Sequence, residues 1–149
     1  MSAHTETYLN AAMYWLGHIA RSLPEHERVA HANQMHKVFQ VISPHIKSEY
    51  EWLQIFSRVA QYYLTRSQHV YGTIMTPAQV LAVAYHLTDV VNNDCTVHTK
   101  YITNVTNISI PHFKRIYLET VGYKVFINLS QMSHMLSMFV SQGQNPIVA

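Results

Sequence analysis

The chain has 149 residues, room for one domain and little for two, and a length that can bury a core without metal or disulfide support. Apolar residues make up 48% and charged residues only 12%, about half the usual share, which argues for a folded chain and against intrinsic disorder. The formal charge of +2 is spread thinly, with no basic run of the kind a nucleic-acid surface carries.

The first 20 residues lack a basic start and a continuous apolar core, so no signal peptide is expected. Instead, Tyr8, Ala11, Ala12, Trp15, Leu16 and Ile19 recur at spacings of three and four. They predict an amphipathic helix over 6–21. Ser22-Leu23-Pro24-Glu25 then reads as a helix start, with Ser22 as cap and Glu25 at the capping-box position. The helix that follows, 24–42, carries Val29, Ala32, Met35, Val38, Phe39 and Ile42 and stops before Pro44.

Ser48-Glu49-Tyr50-Glu51 is a second capping box. It opens a helix over 49–66 whose apolar face includes Tyr50, Leu53, Ile55, Phe56, Val59, Tyr62, Tyr63 and Leu64. Arg58, Gln61 and Arg66 are assigned to its wetter side. Thr76-Pro77-Ala78-Gln79 is a third box, starting a helix over 77–91 that is apolar nearly all round. A surface helix keeps a polar face, so this one is predicted to be central, with Leu81, Ala84 and Tyr85 deepest.

After the turn-prone Asn92-Asn93-Asp94, a short helix over 97–104 holds Val97, Tyr101 and Ile102. Ser109 or a neighbour caps a helix over 110–122 that carries Pro111 in its first turn, and Gly122 ends it in a left-handed conformation. A last helix over 129–141 carries Leu129, Met132, Met135, Leu136, Phe139 and Val140, followed by a loose tail. The fold class is therefore all-α. No segment approaches the 20 or so apolar residues that span a bilayer.

Chemistry is sparse along this pattern. The pairs His26/His31 and His31/His36 are five apart and share no helical face, and neither His-Glu-x-x-His nor Cys-x-x-Cys occurs. Cys95, the single cysteine, cannot form an internal disulfide and reads as a small residue in a turn. Glu49 and Glu51 face different ways, and four glycines build no phosphate loop. No catalytic, metal or cofactor residue is assigned, and the chain is not expected to be an enzyme. A helical enzyme using His86 with Tyr85 or Asp89 is the weakest alternative. Ten tyrosines suit a core with wet edges or an interface, and their number favours a partner surface.

Taken in order, Phe39, Pro44-His45-Ile46, Arg58-Val59-Ala60-Gln61-Tyr62, Thr76-Pro77 opening the third helix, Ala84-Tyr85-His86-Leu87 with Asp89, Tyr101, Val105-Thr106-Asn107-Ile108-Ser109, and Val121-Gly122-Tyr123 with Val125-Phe126-Ile127 resemble the cyclin box. The detail is closest to the phosphate-response (P/U-type) cyclins common in fungi and protozoa. The resemblance covers about residues 29–128. It implies a single five-helix cyclin-like box (29–128) with an extra N-terminal helix and linker (1–28) and a C-terminal helix and tail (129–149). It also implies a regulatory subunit that binds and activates a cyclin-dependent protein kinase, residing in the cytoplasm and/or nucleus. No nucleic-acid or membrane partner is implied, and self-association is not expected.

The chain departs from the family at the paired lysine and glutamate of the third and fifth helices. His86 stands for the lysine, and Lys114 or a neighbour within a turn for the glutamate. Both glycines of the family's Val-Gly-Gly-Ile-Ser turn are also replaced. Two outcomes stay open: a divergent cyclin gripping its kinase through apolar contacts, or a cyclin-like fold that has lost kinase binding. On the resemblance, the partner-facing surface is His86, Asp89, Lys114 and Arg115. Apart from it, a non-kinase helical adaptor or self-associating bundle, using the tyrosines and the Met132–Met138 stripe, is the competing reading.

Overall fold

In the computed structural model the described residues are 6–12, 24–66, 75–93 and 98–144, and among them all regular structure is helical. Residues 6–12 are helical. The remainder of the helix expected over 6–21, with Ser22, Cys95 and Val97, lies outside the described residues. The helices are α1 (Glu25–Ile42), α2 (Glu49–Arg66), α3 (Pro77–Asn92), α4 (His98–Thr106), α5 (Ile110–Val121) and α6 (Leu129–Gln144). A short 3₁₀ helix, Ser43–His45, follows α1. It is absent from the sequence expectation, so the helix count differs. The domain boundary expected between residues 28 and 29 falls inside α1.

Local chemistry explains most boundaries. Pro44 cannot continue α1, so the chain tightens into the 3₁₀ turn, with Ser43 Oγ donating to the Phe39 carbonyl at 2.7 Å. The α2 start differs from a reciprocal capping box. Glu51 N–H donates to Ser48 Oγ, but the Glu51 carboxylate accepts from the backbone N–H of Lys47, one residue before the expected partner. At α3 both arms of the box form: Gln79 N–H donates to Thr76 Oγ1, and Thr76 N–H donates to Gln79 Oε1. Ser109 sits at the start of α5 without a side-chain cap, and Gly122 closes that helix at φ 70°. Asn128 and Gln131 form a reciprocal cap at α6 that the sequence reading did not name.

The core centres on α3, which packs against α1, α2 and α5, while α2 also packs against α5 and α6. Leu81, Ala84 and Tyr85 are all buried, as the apolar girth of this segment predicts. Aromatic stacking ties the layers together. Phe39 and Trp52 join α1 to α2, Tyr62 and Tyr117 join α2 to α5, and Tyr63 and Phe139 join α2 to α6. Val29 and Tyr50, expected on apolar faces, are instead exposed at 50% and 48%.

Arg58 corrects the sequence reading most sharply. Expected on the wetter side of α2, it is 3% exposed. Its Nε donates to Thr88 Oγ1 of α3 at 3.2 Å, and its Nη1 donates to the carbonyl of Val125 in the α5–α6 connection. Its own carbonyl accepts the Tyr117 hydroxyl of α5 at 2.8 Å. Burial lowers the pKa of this guanidinium, though it remains a cation at any physiological pH. α2 packs against α3, α5 and α6, and at Arg58 that packing replaces water with internal hydrogen-bond partners.

Candidate interaction site

Of the four residues the sequence assigns to a partner surface, two meet directly. His86, on α3, has its Nδ1 at 2.8 Å from Thr99 Oγ1 of α4 and its Nε2 at 3.2 Å from Lys114 Nζ of α5. An ammonium has only donors, so Nε2 must accept, and Nδ1 then carries the proton and donates to Thr99. The ring is thus the neutral Nδ1–H tautomer. Burial, then the Lys114 charge, lower its pKa against a smaller opposing effect of Asp89.

The exposure of the set differs from expectation. His86 is 7% exposed, a buried junction between α3, α4 and α5 rather than a surface contact. It is drawn in because its neighbours along the helix, Tyr85 and Leu87, are also enclosed. Asp89 and Lys114 are half-buried, and Arg115 is exposed. Asp89 accepts from the Asn93 side-chain amide at 2.9 Å. Arg115 pairs along its own helix with Glu119 at 3.4 Å, both largely solvated, which contributes little stability. Of the four, only Arg115 is therefore exposed, while the Lys114 ammonium turns in to the buried histidine.

Beside Asp89 lies a cleft that the sequence does not reveal. It measures about 200 Å³ and is lined by Tyr85, Thr88, Asp89, Asn92 and Asn93 of the α3 end, with His45, Ile46, Lys47 and Glu51 from the α1–α2 connection. Glu51 carries a visible signal, its capping position, but nothing in its spacing says that the cap turns it toward α3. Tyr85 is 4% exposed yet reaches this cleft, and its pKa is raised to about 12 by burial, then by Asp89 and Glu51.

Two apolar features complete the surface. Tyr123, Phe126 and Leu129 are 65%, 81% and 63% exposed around the α5–α6 turn. A groove of about 460 Å³ runs between residues 7–8, α2 and α6, with Leu53, Met132, Leu136 and Val140 among its walls. Met132, part of the methionine stripe offered as a contact surface, is buried in the core, while Met135 and Met138 are half-buried. Of the tyrosines, Tyr62, Tyr63, Tyr85 and Tyr117 are core, and Tyr50, Tyr101 and Tyr123 are exposed.

Among the described residues no group of three His, Cys, Asp or Glu side chains could hold a metal ion, and no helix is long and apolar enough to cross a membrane. Compared with family models, curated proteins and solved structures, the chain matches none.

Proposed function

We propose that this chain is a regulatory subunit that binds a cyclin-dependent protein kinase, through the surface formed by the second half of α3 and the start of α5. The observation that supports this is the approach of His86 to Lys114 at 3.2 Å. The sequence resemblance assigns these two positions to the lysine and glutamate that cyclins pair at their kinase-binding face. Here a neutral histidine accepts from an ammonium, so contact between the two helices is kept while the net charge of the pair becomes positive. Such a subunit acts by favouring one arrangement of the kinase's movable helix and activation segment. Phosphoryl transfer belongs to the kinase, and both His86 ring nitrogens are occupied by structural hydrogen bonds.

The test is affinity purification of the full chain from its source cells in at least two growth states, with the bound proteins identified by mass spectrometry. A cyclin-dependent kinase is expected with the wild type and in reduced amount with Lys114→Glu. No kinase in any state overturns the proposal.

A second reading, a self-associating helical bundle, is favoured by one observation, the exposed Tyr123, Phe126 and Leu129 at the α5–α6 turn. Light scattering separates the two. A strict monomer up to high concentration removes this reading and leaves the first intact.

A further inference from the structure

The cleft between the α1–α2 connection and the end of α3 has an unbalanced hydrogen-bonding inventory. Its amides commit one N–H each internally, Asn92 Nδ2 to Gln54 Oε1 at 2.6 Å, Asn93 Nδ2 to Asp89 Oδ1 at 2.9 Å and the Lys47 backbone N–H to Glu51 Oε2 at 3.0 Å, so Asn92 and Asn93 keep one N–H each. Its free acceptors are more numerous. One oxygen of each carboxylate and the side-chain carbonyl oxygens of Asn92 and Asn93 take no hydrogen bond among the described residues. The Tyr85 hydroxyl makes none either, although the residue is 4% exposed and what it shows faces this cleft. Its hydroxyl therefore meets solvent in the cleft rather than a protein partner.

Electrostatics point the same way. The last turn of α3 carries no basic side chain, so the negative end of its dipole is uncompensated where Asn92 and Asn93 leave the helix. Asp89 and Glu51 add two carboxylates. Against them stand the exposed ammonium of Lys47 and the imidazole of His45. Burial first, and then the Asp89 and Glu51 charges, raise the pKa of Tyr85. The site offers more free acceptors than donors, and two carboxylates against one ammonium.

From this geometry we infer that the cleft receives one arginine side chain presented by a partner protein. About 200 Å³ is room for roughly seven waters at ~30 Å³ each, the scale of one long side chain and below that of drug-sized ligand sites. A guanidinium brings five donors in a planar fork, which suits several converging acceptors better than the compact ammonium of lysine. The inference does not rest on the kinase reading, because it requires only a partner with a basic side chain.

The experiment is an NMR titration of the full chain with N-acetyl-arginine amide, alongside the citrulline and lysine derivatives blocked in the same way. Citrulline has nearly the shape of arginine without its charge. The arginine derivative should shift the amides of Glu51, Tyr85 and Asp89, and citrulline should not. Asp89→Asn and Glu51→Gln should each weaken the binding about tenfold, the effect of one charge-assisted hydrogen bond becoming neutral. Both substitutions are isosteric and keep a carbonyl oxygen for Asn93 or Lys47, and circular dichroism checks that the fold persists. Absent shifts, equal shifts with citrulline, or unchanged affinity in both variants overturn the inference, and tighter binding of lysine overturns the assignment to arginine. A chain that recovers no kinase but still binds the arginine derivative loses the proposed function and keeps this site.

Discussion

Reversing Lys114 to glutamate should invert the pH dependence that His86 gives to folding. In the wild type, protonating His86 would place its Nε2–H against an ammonium 3.2 Å away. Two unit charges at that separation repel by about 1 kcal/mol in a water-like dielectric and about 5 kcal/mol at an effective value near 20. Lys114 is half-buried, so solvent screening favours the lower part of that range. Burial acts in the same direction, and the folded-state pKa of His86 lies below its ordinary value near 6.5. Between those two values the unfolded chain holds the extra proton. The His86 contribution is therefore complete above pH 6.5 and is lost as the pH falls from 6.5 through the folded-state value.

A glutamate at 114 sits within the range of about 4–6 Å over which an opposite charge raises a histidine's pKa. If the folded-state value rises above 6.5, the sign changes. The contribution is then complete below pH 6.5 and fades as the pH rises through the folded-state value. The stability difference between variant and wild type should consequently move in favour of the variant as the pH falls from about 7.5 to 5.5. Each histidine limb is bounded by about 1.4 kcal/mol per pH unit. Urea unfolding of both proteins across this range measures the difference, in which the other histidines cancel, and the NMR titration of His86 locates the cause. Parallel pH profiles, or a His86 pKa that does not move, would refute the reasoning.

Four further perturbations probe the fold. Leu81→Ala should cost about 2–5 kcal/mol in urea unfolding, because the side chain is 1% exposed at the centre of α3, and a cost under about 1 would make that helix peripheral. Arg58→Met should cost about 1–3 kcal/mol, since Thr88 Oγ1 and the Val125 carbonyl lose their donor; a stabilised variant would show that burying the charge outweighs those bonds. Thr76→Ala should remove about 1 kcal/mol by deleting one arm of the α3 capping box, which thermal or urea unfolding will read. Gly122→Ala should cost about 1–2 kcal/mol from backbone strain alone, because φ is 70° and a Cβ there meets nothing within 4 Å.

Amphipathic spacing and caps determined the helical elements from sequence alone. Prolines at 44, 77 and 111, the Thr76–Gln79 box and Gly122 are local devices whose effect depends on a few neighbouring residues, so their boundaries fall close to expectation. The central position of α3 was legible for a related reason, since a segment with no polar face has no side to give to water. Its approach to α5 at His86 and Lys114 is not readable from periodicity, and the sequence did not reveal that His86 would be buried there.

Tertiary structure decided everything that depends on which helix covers which. A polar residue on a helix flank reads as solvated until a neighbour closes over it, which is why Arg58 was assigned to water and is found bonded between α3 and the α5–α6 connection. Val29 and Tyr50 show the converse, apolar helix positions that stay exposed. The acceptor-rich cleft belongs to the same class. Glu51 and Asp89 are 38 residues apart, each occupied by a local bond to its own segment. Only the packing of the α1–α2 connection against the end of α3 brings both of them, with Tyr85, to the wall of one shared space.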